Sequence, residues 1–386
     1  MTAGAEGRRP IRLAAVIDSL GVGGVETGCL DLLRTLDRDR FEPFVWAFRP
    51  GGLVPRIQAA GIPLSVGHDR PAEDHRWEER DVTARATWTA QLAQELAQAR
   101  IDVCLVYGWP EAVEAARMAG IRAIVERSDG PQLAARVGDK SGLSAVICES
   151  RHIRDVLRAQ RSRFGLDPRR LVVIPNGVDL ERFRVRDGDR ERARASLGLP
   201  PDAFVVGCVA RQAPEKNLVL LVRAFAMFAA RTSSPRAPLR LVLAGPDGGE
   251  RAAIDAAIAE LGVGDRVSLP GPVDDPERVL SALDVFTLTS WMEGSPFAVL
   301  EAMAMGLPIV STAAGALAEM LDDNAIIVDP VAPLATMHAL MLLHRRPDLR
   351  ATLGRRSLAL ARRASLPRMV GRYERLLEAA VAESAG

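Results

Sequence analysis

Short apolar runs alternate with stretches of helical periodicity through the first half of the chain. The runs that we expect to form strands lie at 11–17, 43–48, 62–66, 102–107, 121–125, 143–148 and 171–174. Apolar residues at three- to four-residue spacing predict helices up to Leu36 and near 52–60, 83–99, 110–119, 131–139 and 150–162. Strands that alternate with helices in this way indicate a mainly parallel sheet with helices on both faces.

A second series of the same kind fills the C-terminal half. Its expected strands lie at 204–210, 239–244, 266–269, 284–289, 307–311 and 325–328. The polar run 184–192 separates the two series and is predicted to be a linker. The last segment, from Pro367, carries apolar residues at helical spacing and is predicted to be an amphipathic helix that packs on a domain.

The pattern therefore predicts an α/β protein with two doubly wound, Rossmann-like domains. We place the first domain at residues 1–183 and the second at residues 184–366. The C-terminal helix occupies residues 367–386.

Composition narrows the class of protein further. The chain has 386 residues, of which 48% are hydrophobic and 26% are charged, as expected for a folded globular protein. Its net charge of +1 gives no indication of a nucleic-acid partner. The four cysteines are scattered, so we expect buried thiols rather than disulfides or a zinc site.

Localisation is predicted from the apolar runs. None of them approaches the ~20 residues that a membrane span needs, and no signal peptide precedes Ile11. We therefore expect a cytoplasmic protein, with a shallow peripheral membrane contact left open.

The segment after the expected strand 284–289 carries the strongest candidate chemistry. Glu293 stands in a turn-rich loop, and Glu301 follows within a stretch of helical spacing that begins at Phe297. Pro296 suits the first helical position, where its missing N–H group costs nothing. The positive end of such a helix favours a phosphate, and the two carboxylates can accept hydrogen bonds from hydroxyl groups.

Residues 293–312 resemble the E-x7-E signature of retaining glycosyltransferases with the GT-B fold, most closely glycosyltransferase family 4. The stretch 171–183 is similar to the segment that leads from the first domain of that family into the second. The resemblance implies two doubly wound domains facing an interdomain cleft. It implies that the second domain binds the donor and the first binds the acceptor. It also implies that the C-terminal helix crosses back to the first domain.

Arg211 and Lys216 lie in the loop after the expected strand 204–210. This loop would face the ligand if ligands bind at the carboxyl ends of the strands. Two cations there can stabilise a leaving diphosphate without a metal ion. The family resemblance covers residues 209–225 and matches both cations, with Asn217 in place of a frequent glycine.

A glycine-rich turn, Gly21-Val22-Gly23-Gly24, follows the first expected strand. Strand, glycine-rich turn and helix form the arrangement with which doubly wound folds approach phosphates. The glycine spacing is not that of a dinucleotide fingerprint, and a tight turn without a ligand is an equally good reading of the pattern. Family members carry a similar turn, and by that resemblance the backbone at Gly23 and Gly24 approaches the donor diphosphate and the acceptor.

The first domain departs from the family after the expected strand 121–125. Many members have a histidine there, against the donor sugar, whereas this chain reads Glu126-Arg127-Ser128-Asp129. We predict Arg127 and Asp129 as acceptor-binding residues. The alternative is that they pair with each other and that Asp129 caps the helix expected at 131–139.

The sequence therefore predicts a glycosyltransferase of the hexosyltransferase type, which by the family resemblance retains the anomeric configuration. Its donor is a nucleotide-diphosphate sugar, and its acceptor is a carbohydrate, a lipid-linked molecule or a small metabolite. The catalytic residues are predicted to be Arg211, Lys216 and Glu293, with no metal and no other cofactor. The predicted donor-binding residues are Gly23, Gly24, Ser295, Pro296, Phe297, Ala298, Val299, Leu300 and Glu301. Two alternatives stay open: a nucleotide-sugar epimerase, and a non-catalytic binding module with the same fold.

Overall fold

The computed structural model describes residues 9–67, 82–128, 138–232 and 238–384. The chain divides into two compact units, one formed by Met1–Asn176 with Leu366–Gly386 and the other by Gly177–Ser365. Asp129 and most of the helix expected at 131–139 lie outside the described residues.

The first unit is built on a parallel sheet. Its strands are β1 (Ile11–Ser19), β2 (Phe41–Arg49), β3 (Leu64–Val66), β4 (Val103–Tyr107), β5 (Ala123–Ser128), β6 (Ala145–Cys148) and β7 (Leu171–Val173). They pair in the order β3-β2-β1-β4-β5-β6-β7. The helices between them are α1 (Gly24–Thr35), α2 (Val54–Ala59), α3 (Val82–Gln98), α4 (Pro110–Met118) and α5 (Arg151–Ala159). The expected parallel sheet is therefore confirmed.

Alternation of side chains along β1 shows why this sheet is covered on both faces. Leu13 and Ile17 enter one hydrophobic core, whereas Ala14 and Val16 enter the other. Successive residues of a strand point to opposite faces, so a run that is apolar at every position needs helices on both sides. Buried residues of α1 and α2 cover the first face, and those of α3, α4 and α5 cover the second.

The second unit repeats this architecture. Its strands are β8 (Phe204–Val209), β9 (Leu239–Ala244), β10 (Val267–Gly271), β11 (Val285–Leu288), β12 (Ile309–Ser311) and β13 (Ala325–Ile327). They pair in parallel in the order β10-β9-β8-β11-β12-β13. Its helices are α6 (Asp189–Ser196), α7 (Leu218–Arg231), α8 (Arg251–Glu260), α9 (Pro276–Ala282), α10 (Phe297–Ala304), α11 (Leu317–Met320), α12 (Pro333–Arg345) and α13 (Pro347–Arg363).

The polar run 184–192 is not only a linker, because α6 begins within it at Asp189. Arg194 of this helix is buried, and its guanidinium donates to Oδ2 of Asp284 at 2.9 Å. Asp284 also accepts from the backbone N–H of Val205 at 2.8 Å. A charged residue therefore anchors α6 to the sheet, which polarity along the sequence does not reveal.

The two units divide at Asn176 rather than at residue 183. Val178 and Phe183 are buried in the core of the second unit. The N–H group of Val178 donates to the carbonyl of Ala364 at 2.9 Å, which fixes the segment there. The boundary predicted from the sequence lies seven residues beyond Asn176, because the polar run that suggested a linker begins only at Arg184, after this buried stretch.

The C-terminal helix α14 (Leu366–Ser384) belongs to the first unit. Its apolar stripe, which includes Met369, Tyr373 and Leu377, joins the core on the α1 face of the sheet. Arg40 holds its outer side through Glu374 and Glu378, at 2.8 and 2.6 Å.

Two expectations from composition can be compared with the fold. All four cysteines are buried and none of them forms a disulfide bond, as the sequence predicted. Within the part of the chain that the structure describes, no helix combines the length and the apolar character needed to cross a membrane.

Candidate active site

The strand order of the second unit reverses direction between β8 and β11. From β8 the chain moves outward to β9 and β10, and then returns to place β11 on the other side of β8. Loops that leave two such strands at their carboxyl ends diverge and open a crevice, which is where doubly wound folds bind ligands. The loop after β8 carries Arg211 and Lys216, and the loop after β11 carries Glu293.

Lys216 and Glu293 meet at this point. Nζ of Lys216 lies 2.8 Å from Oε1 and 2.9 Å from Oε2 of Glu293. The lysine side chain is 18% exposed and the glutamate side chain 5% exposed. A buried carboxylate needs a compensating charge and hydrogen bonds, so this pair places a lysine at the edge of solvent and a glutamate beneath it.

The conformation of the residue after Lys216 explains why asparagine can replace a glycine here. Asn217 has φ 53° and ψ 42°, in the left-handed region that glycine adopts freely and asparagine tolerates best among the other residues. Its side-chain amide donates to the carbonyl of Pro330 at 2.9 Å. The departure from the family pattern therefore keeps the shape of the loop.

Helix α10 starts beside Glu293. Pro296 is the N-cap of this helix, with an extended ψ of 121°, and not its first helical residue as predicted. The first helical residue is Phe297. The N–H groups of a first helical turn have no partner within the helix and carry the positive end of its dipole. Ser295 is buried, and its hydroxyl lies 3.6 Å from Sδ of Met320.

The remaining predicted donor residues divide into side chains in the core and side chains nearer the surface. Val299 and Leu300 are buried in the core of the unit, so a donor contact from either must come from its backbone. Phe297, Ala298 and Glu301 are partly exposed. Glu301 is the carboxylate of this helix that a ligand can reach.

Arg211 is not brought into the Lys216–Glu293 pair. Its guanidinium is 53% exposed and pairs with Glu215, four residues further along the same loop. Arg211 is therefore a surface cation of the loop after β8. Contact with a diphosphate would require it to exchange Glu215 for the phosphate oxygens.

The glycine-rich turn of the first unit has the expected local form. Gly23 caps α1 with an extended backbone, at φ −119° and ψ 168°, and Gly24 begins the helix. A Cβ atom on Gly23 would lie 2.3 Å from Oε2 of Glu26. A side chain at this position would therefore displace the glutamate from the first turn of α1.

Arg127 lies inside the first unit, where its side chain is 1% exposed. Nη2 donates to Oδ1 of Asn176 at 2.8 Å, and Nη1 lies 3.3 Å from the hydroxyl of Tyr373 on α14. Oε2 of the buried Glu149 lies 3.9 Å from Nη2. This surrounding gives Arg127 a structural role, and its predicted acceptor contact stays a prediction that the placement does not support.

Four residues around Glu293 were not singled out from the sequence: Thr289, Ser290, Thr312 and Gly315. Three are hydroxyl residues buried at the ends of β11 and β12, and Gly315 follows β12 with φ 56°. A Cβ atom on Gly315 would lie 1.9 Å from the carbonyl oxygen of Glu293. The lone glycine in Ala313-Ala314-Gly315-Ala316 was the available signal, because a glycine among alanines indicates a backbone requirement.

Replacing Gly315 by alanine should therefore lower the free energy of unfolding by roughly 2–5 kcal/mol, from left-handed strain plus overpacking against Glu293. Denaturant unfolding measures this loss. Gly262→Ala is the matched control, since Gly262 has φ 63° but an added Cβ meets nothing within 4 Å. Equal losses in the two variants would show that the contact with Glu293 is unimportant.

A buried cysteine and the grouping of metal-ligating side chains complete the description of the site. Burial raises the pKa of the Cys208 thiol, on β8 below the pair, to about 12, so this cysteine stays protonated and is a poor nucleophile. No three His, Cys, Asp or Glu side chains are grouped to hold a metal ion within residues 9–67, 82–128, 138–232 and 238–384.

Two family models match successive parts of the chain. Residues 22–182 match the model for glycosyltransferase family 4, and residues 189–358 match the model for group 1 glycosyl transferases. The curated relatives include a D-inositol 3-phosphate glycosyltransferase of Rhodococcus erythropolis, 38% identical over 200 residues, or 49% of this chain and 43% of the relative. That of Nocardia farcinica is 33% identical over 53% of this chain and 46% of the relative. Each alignment thus spans less than half of the relative.

Solved structures show the same fold. Anabaena Alr3699/HepE, crystallised with UDP and glucose, superposes with a TM-score of 0.79 at 22% identity, over 95% of this chain and 99% of that one. Sucrose-phosphate synthase of Thermosynechococcus elongatus superposes with a TM-score of 0.76 at 19% identity, over 96% of this chain and all (100%) of that one. The chain therefore belongs to the group 1 glycosyltransferases of glycosyltransferase family 4 and has the GT-B fold, with two doubly wound Rossmann-like domains.

Proposed function

We propose that this protein transfers a sugar from a nucleotide-diphosphate sugar to a hydroxyl group of an acceptor. The observation that carries the proposal is the Lys216–Glu293 pair, which joins the loops after β8 and β11 where the strand order reverses. A doubly wound domain binds nucleotides at that point. The pair supplies there one cation for a diphosphate and one carboxylate for a sugar.

The leaving diphosphate meets positive charge from two directions in this proposal. Lys216 turns from Glu293 to the phosphate oxygens, and Arg211 adds its charge from the surface of the same loop. The first N–H groups of α10, at Phe297 and Ala298, supply fixed dipoles. Charge that is positioned before the reaction stabilises the leaving group most when the bond breaks, so we propose that no metal ion is needed.

The two glutamates take different hydroxyl groups of the donor. Glu293 accepts hydrogen bonds from the sugar, because it is buried beside the cation that holds the diphosphate. Glu301, partly exposed on α10, accepts from the ribose diol. Carboxylate oxygens accept and never donate when ionised, which suits both tasks. By family resemblance, we propose that the sugar is transferred with retention of its anomeric configuration.

Relatives suggest which donors and acceptors to test first. HepE was crystallised with UDP and with UDP-glucose, so UDP-sugars head the donor series. The curated relatives act on D-inositol 3-phosphate, which makes a phosphorylated polyol the first acceptor to try. Product analysis without acceptor distinguishes transfer from epimerisation, because an epimerase converts the donor alone.

A thermal-shift panel tests the nucleotide site. UDP-, GDP-, ADP- and dTDP-glucose are added to the wild type, to Glu301→Ala and to Glu260→Ala. Glu260 is an exposed glutamate at the end of α8, the helix that connects β9 to β10. We expect one nucleotide to raise the melting temperature by several degrees, since ligand at about 100 times Kd stabilises by ~2.7 kcal/mol.

Glu301→Ala should lose most of this gain, whereas Glu260→Ala should keep it. A well-folded wild type that responds to no nucleotide sugar, and hydrolyses none, would contradict the proposed function. Equal gains in both variants would leave the nucleotide site intact and remove the role given to Glu301.

A further inference from the structure

Glu293 is held by a hydroxyl group as well as by Lys216. The hydroxyl of Ser290 donates to Oε1 of Glu293 at 2.5 Å, and Ser290 is completely buried. Oε1 thus receives two donors, Ser290 and Lys216, whereas within the described part of the chain Lys216 is the donor to Oε2. A carboxylate accepts about four hydrogen bonds, so Oε2 keeps capacity for a further donor.

Ser290 is itself fixed from the neighbouring strand. Its carbonyl accepts from the hydroxyl of Thr312 at 2.7 Å. Thr312, just after β12, is buried, and its N–H continues the ladder to the carbonyl of Leu288 at 3.2 Å. The position of the serine is therefore set by the ends of β11 and β12 rather than by the loop alone.

The lysine of the pair is anchored to the residue before Ser290. The hydroxyl of Thr289 lies 3.3 Å from the carbonyl of Lys216 and 3.0 Å from that of Asn217. The N–H group of Trp291 donates to the carbonyl of Glu215 at 2.8 Å. The carbonyls of three successive residues, Glu215, Lys216 and Asn217, thus lie within hydrogen-bond distance of the loop after β11. These contacts hold the two loops together next to the ion pair.

We infer that Ser290 is a positioning residue for sugar transfer, which keeps Glu293 oriented towards the donor sugar when Lys216 moves to the diphosphate. This inference rests on the proposed function. Lys216 binds Glu293 in the free protein and the diphosphate during the reaction. The hydroxyl of Ser290 is buried against the carboxylate and stays bound to it in both states. Thr312 contributes through the carbonyl of Ser290.

The inference predicts where a loss appears in the kinetics. UDP has no sugar for Glu293 to bind, so its dissociation constant should not depend on Ser290. Turnover should depend on Ser290. Without its hydroxyl, the carboxylate of Glu293 would rotate away from the donor sugar once Lys216 moves to the diphosphate. Ser290→Ala is expected to lower kcat for donor hydrolysis about 10- to 100-fold, the value of a hydrogen bond to a charged group, with Kd for UDP unchanged.

The chain offers matched controls beside the site. The hydroxyls of Ser311 and Thr287 are buried on β12 and β11 and make no hydrogen bond within the described residues. Ser311→Ala and Thr287→Val therefore remove a buried hydroxyl without touching Glu293. Thr312→Val should reduce kcat less than Ser290→Ala does, and Thr312→Ser, which keeps the hydroxyl, should restore it.

The experiment measures kcat and KM with UDP-glucose, and Kd for UDP by calorimetry. If the wild type hydrolyses another nucleotide sugar of the panel fastest, that sugar and its nucleoside diphosphate take the place of UDP-glucose and UDP. A fall in kcat confined to Ser290→Ala and Thr312→Val supports the inference. Equal falls in the two controls, a weaker Kd for UDP, or an unchanged kcat in Ser290→Ala would each overturn it. A wild type inactive with every nucleotide sugar would overturn the proposed function itself, so the two failures are distinguishable.

Discussion

Replacing Lys216 by methionine should lower kcat for donor turnover by roughly 10²–10³-fold, the usual cost of removing one positioned charge from a developing anion. Methionine keeps much of the volume of the lysine stem but cannot neutralise a diphosphate. The variant also leaves Glu293 buried without its cation, which destabilises the fold as well. Steady-state kinetics with the best nucleotide sugar of the panel measures the effect.

A double variant separates the loss of catalysis from the loss of stability. Lys216→Met combined with Glu293→Gln removes both charges, so no unpaired buried charge remains. We expect it to melt close to the wild type and to remain inactive. Arg211→Ala should cost less than Lys216→Met, because Arg211 is exposed and its charge is screened by solvent. Wild-type turnover in the double variant would exclude the Lys216–Glu293 pair from the reaction.

Replacing Arg127 by alanine should destabilise the first unit by roughly 3–5 kcal/mol, because it removes one partner of the buried ion pair with Glu149. It also removes the hydrogen bonds to Asn176 and to Tyr373 of α14. A loss of this size lowers the melting temperature by roughly 10 °C in a unit of this length. Calorimetry measures the shift.

Arg122→Ala serves as the control for Arg127→Ala. Arg122 is an exposed arginine just before β5, and exposed substitutions usually change stability by less than about 0.5 kcal/mol. If Arg127→Ala melted with the wild type and raised only the KM of the acceptor, the original prediction of an acceptor-binding residue would be correct after all.

The strands were predicted well from the sequence because strands of a parallel sheet, which are buried on both faces, consist of continuous apolar runs. Alternation of strands and helices then predicted two doubly wound units, and the described strands confirm this. The end of the first unit was placed at residue 183 because the polar run that begins at Arg184 is typical of a linker. The burial of Val178 and Phe183 in the other core depends on contacts such as that with Ala364, which lies far along the chain.

The individual residues of the site were predicted from the sequence, but the contacts between them were not. Lys216 and Glu293 were chosen for separate tasks, and their pairing across 77 residues depends on β11 lying beside β8. Strand order cannot be read from local periodicity. Ser290 and Thr312 were missed for a similar reason, since a serine or threonine at the end of a strand is ordinary until its partner is known.

Arg127 shows the limit of reading a charge from its neighbours in sequence. A charged residue at the end of a strand is usually exposed or functional. Its burial depends on Asn176, 49 residues away, and on Tyr373, 246 residues away. Only the packing of α14 onto the first unit brings these groups together, so local sequence could not place the side chain.

The most direct test of the nucleotide site uses the fact that Lys140 and Lys216 are the two lysines of the chain. Amine acylation followed by mass spectrometry reports on each of them, with and without saturating UDP, GDP, ADP or dTDP. Lys140 is buried against Glu126 in the first unit and serves as the internal control. We predict that the nucleotide with the largest thermal shift protects Lys216 and leaves Lys140 unchanged. Unchanged labelling of Lys216 under that nucleotide would contradict a nucleotide site between the loops after β8 and β11.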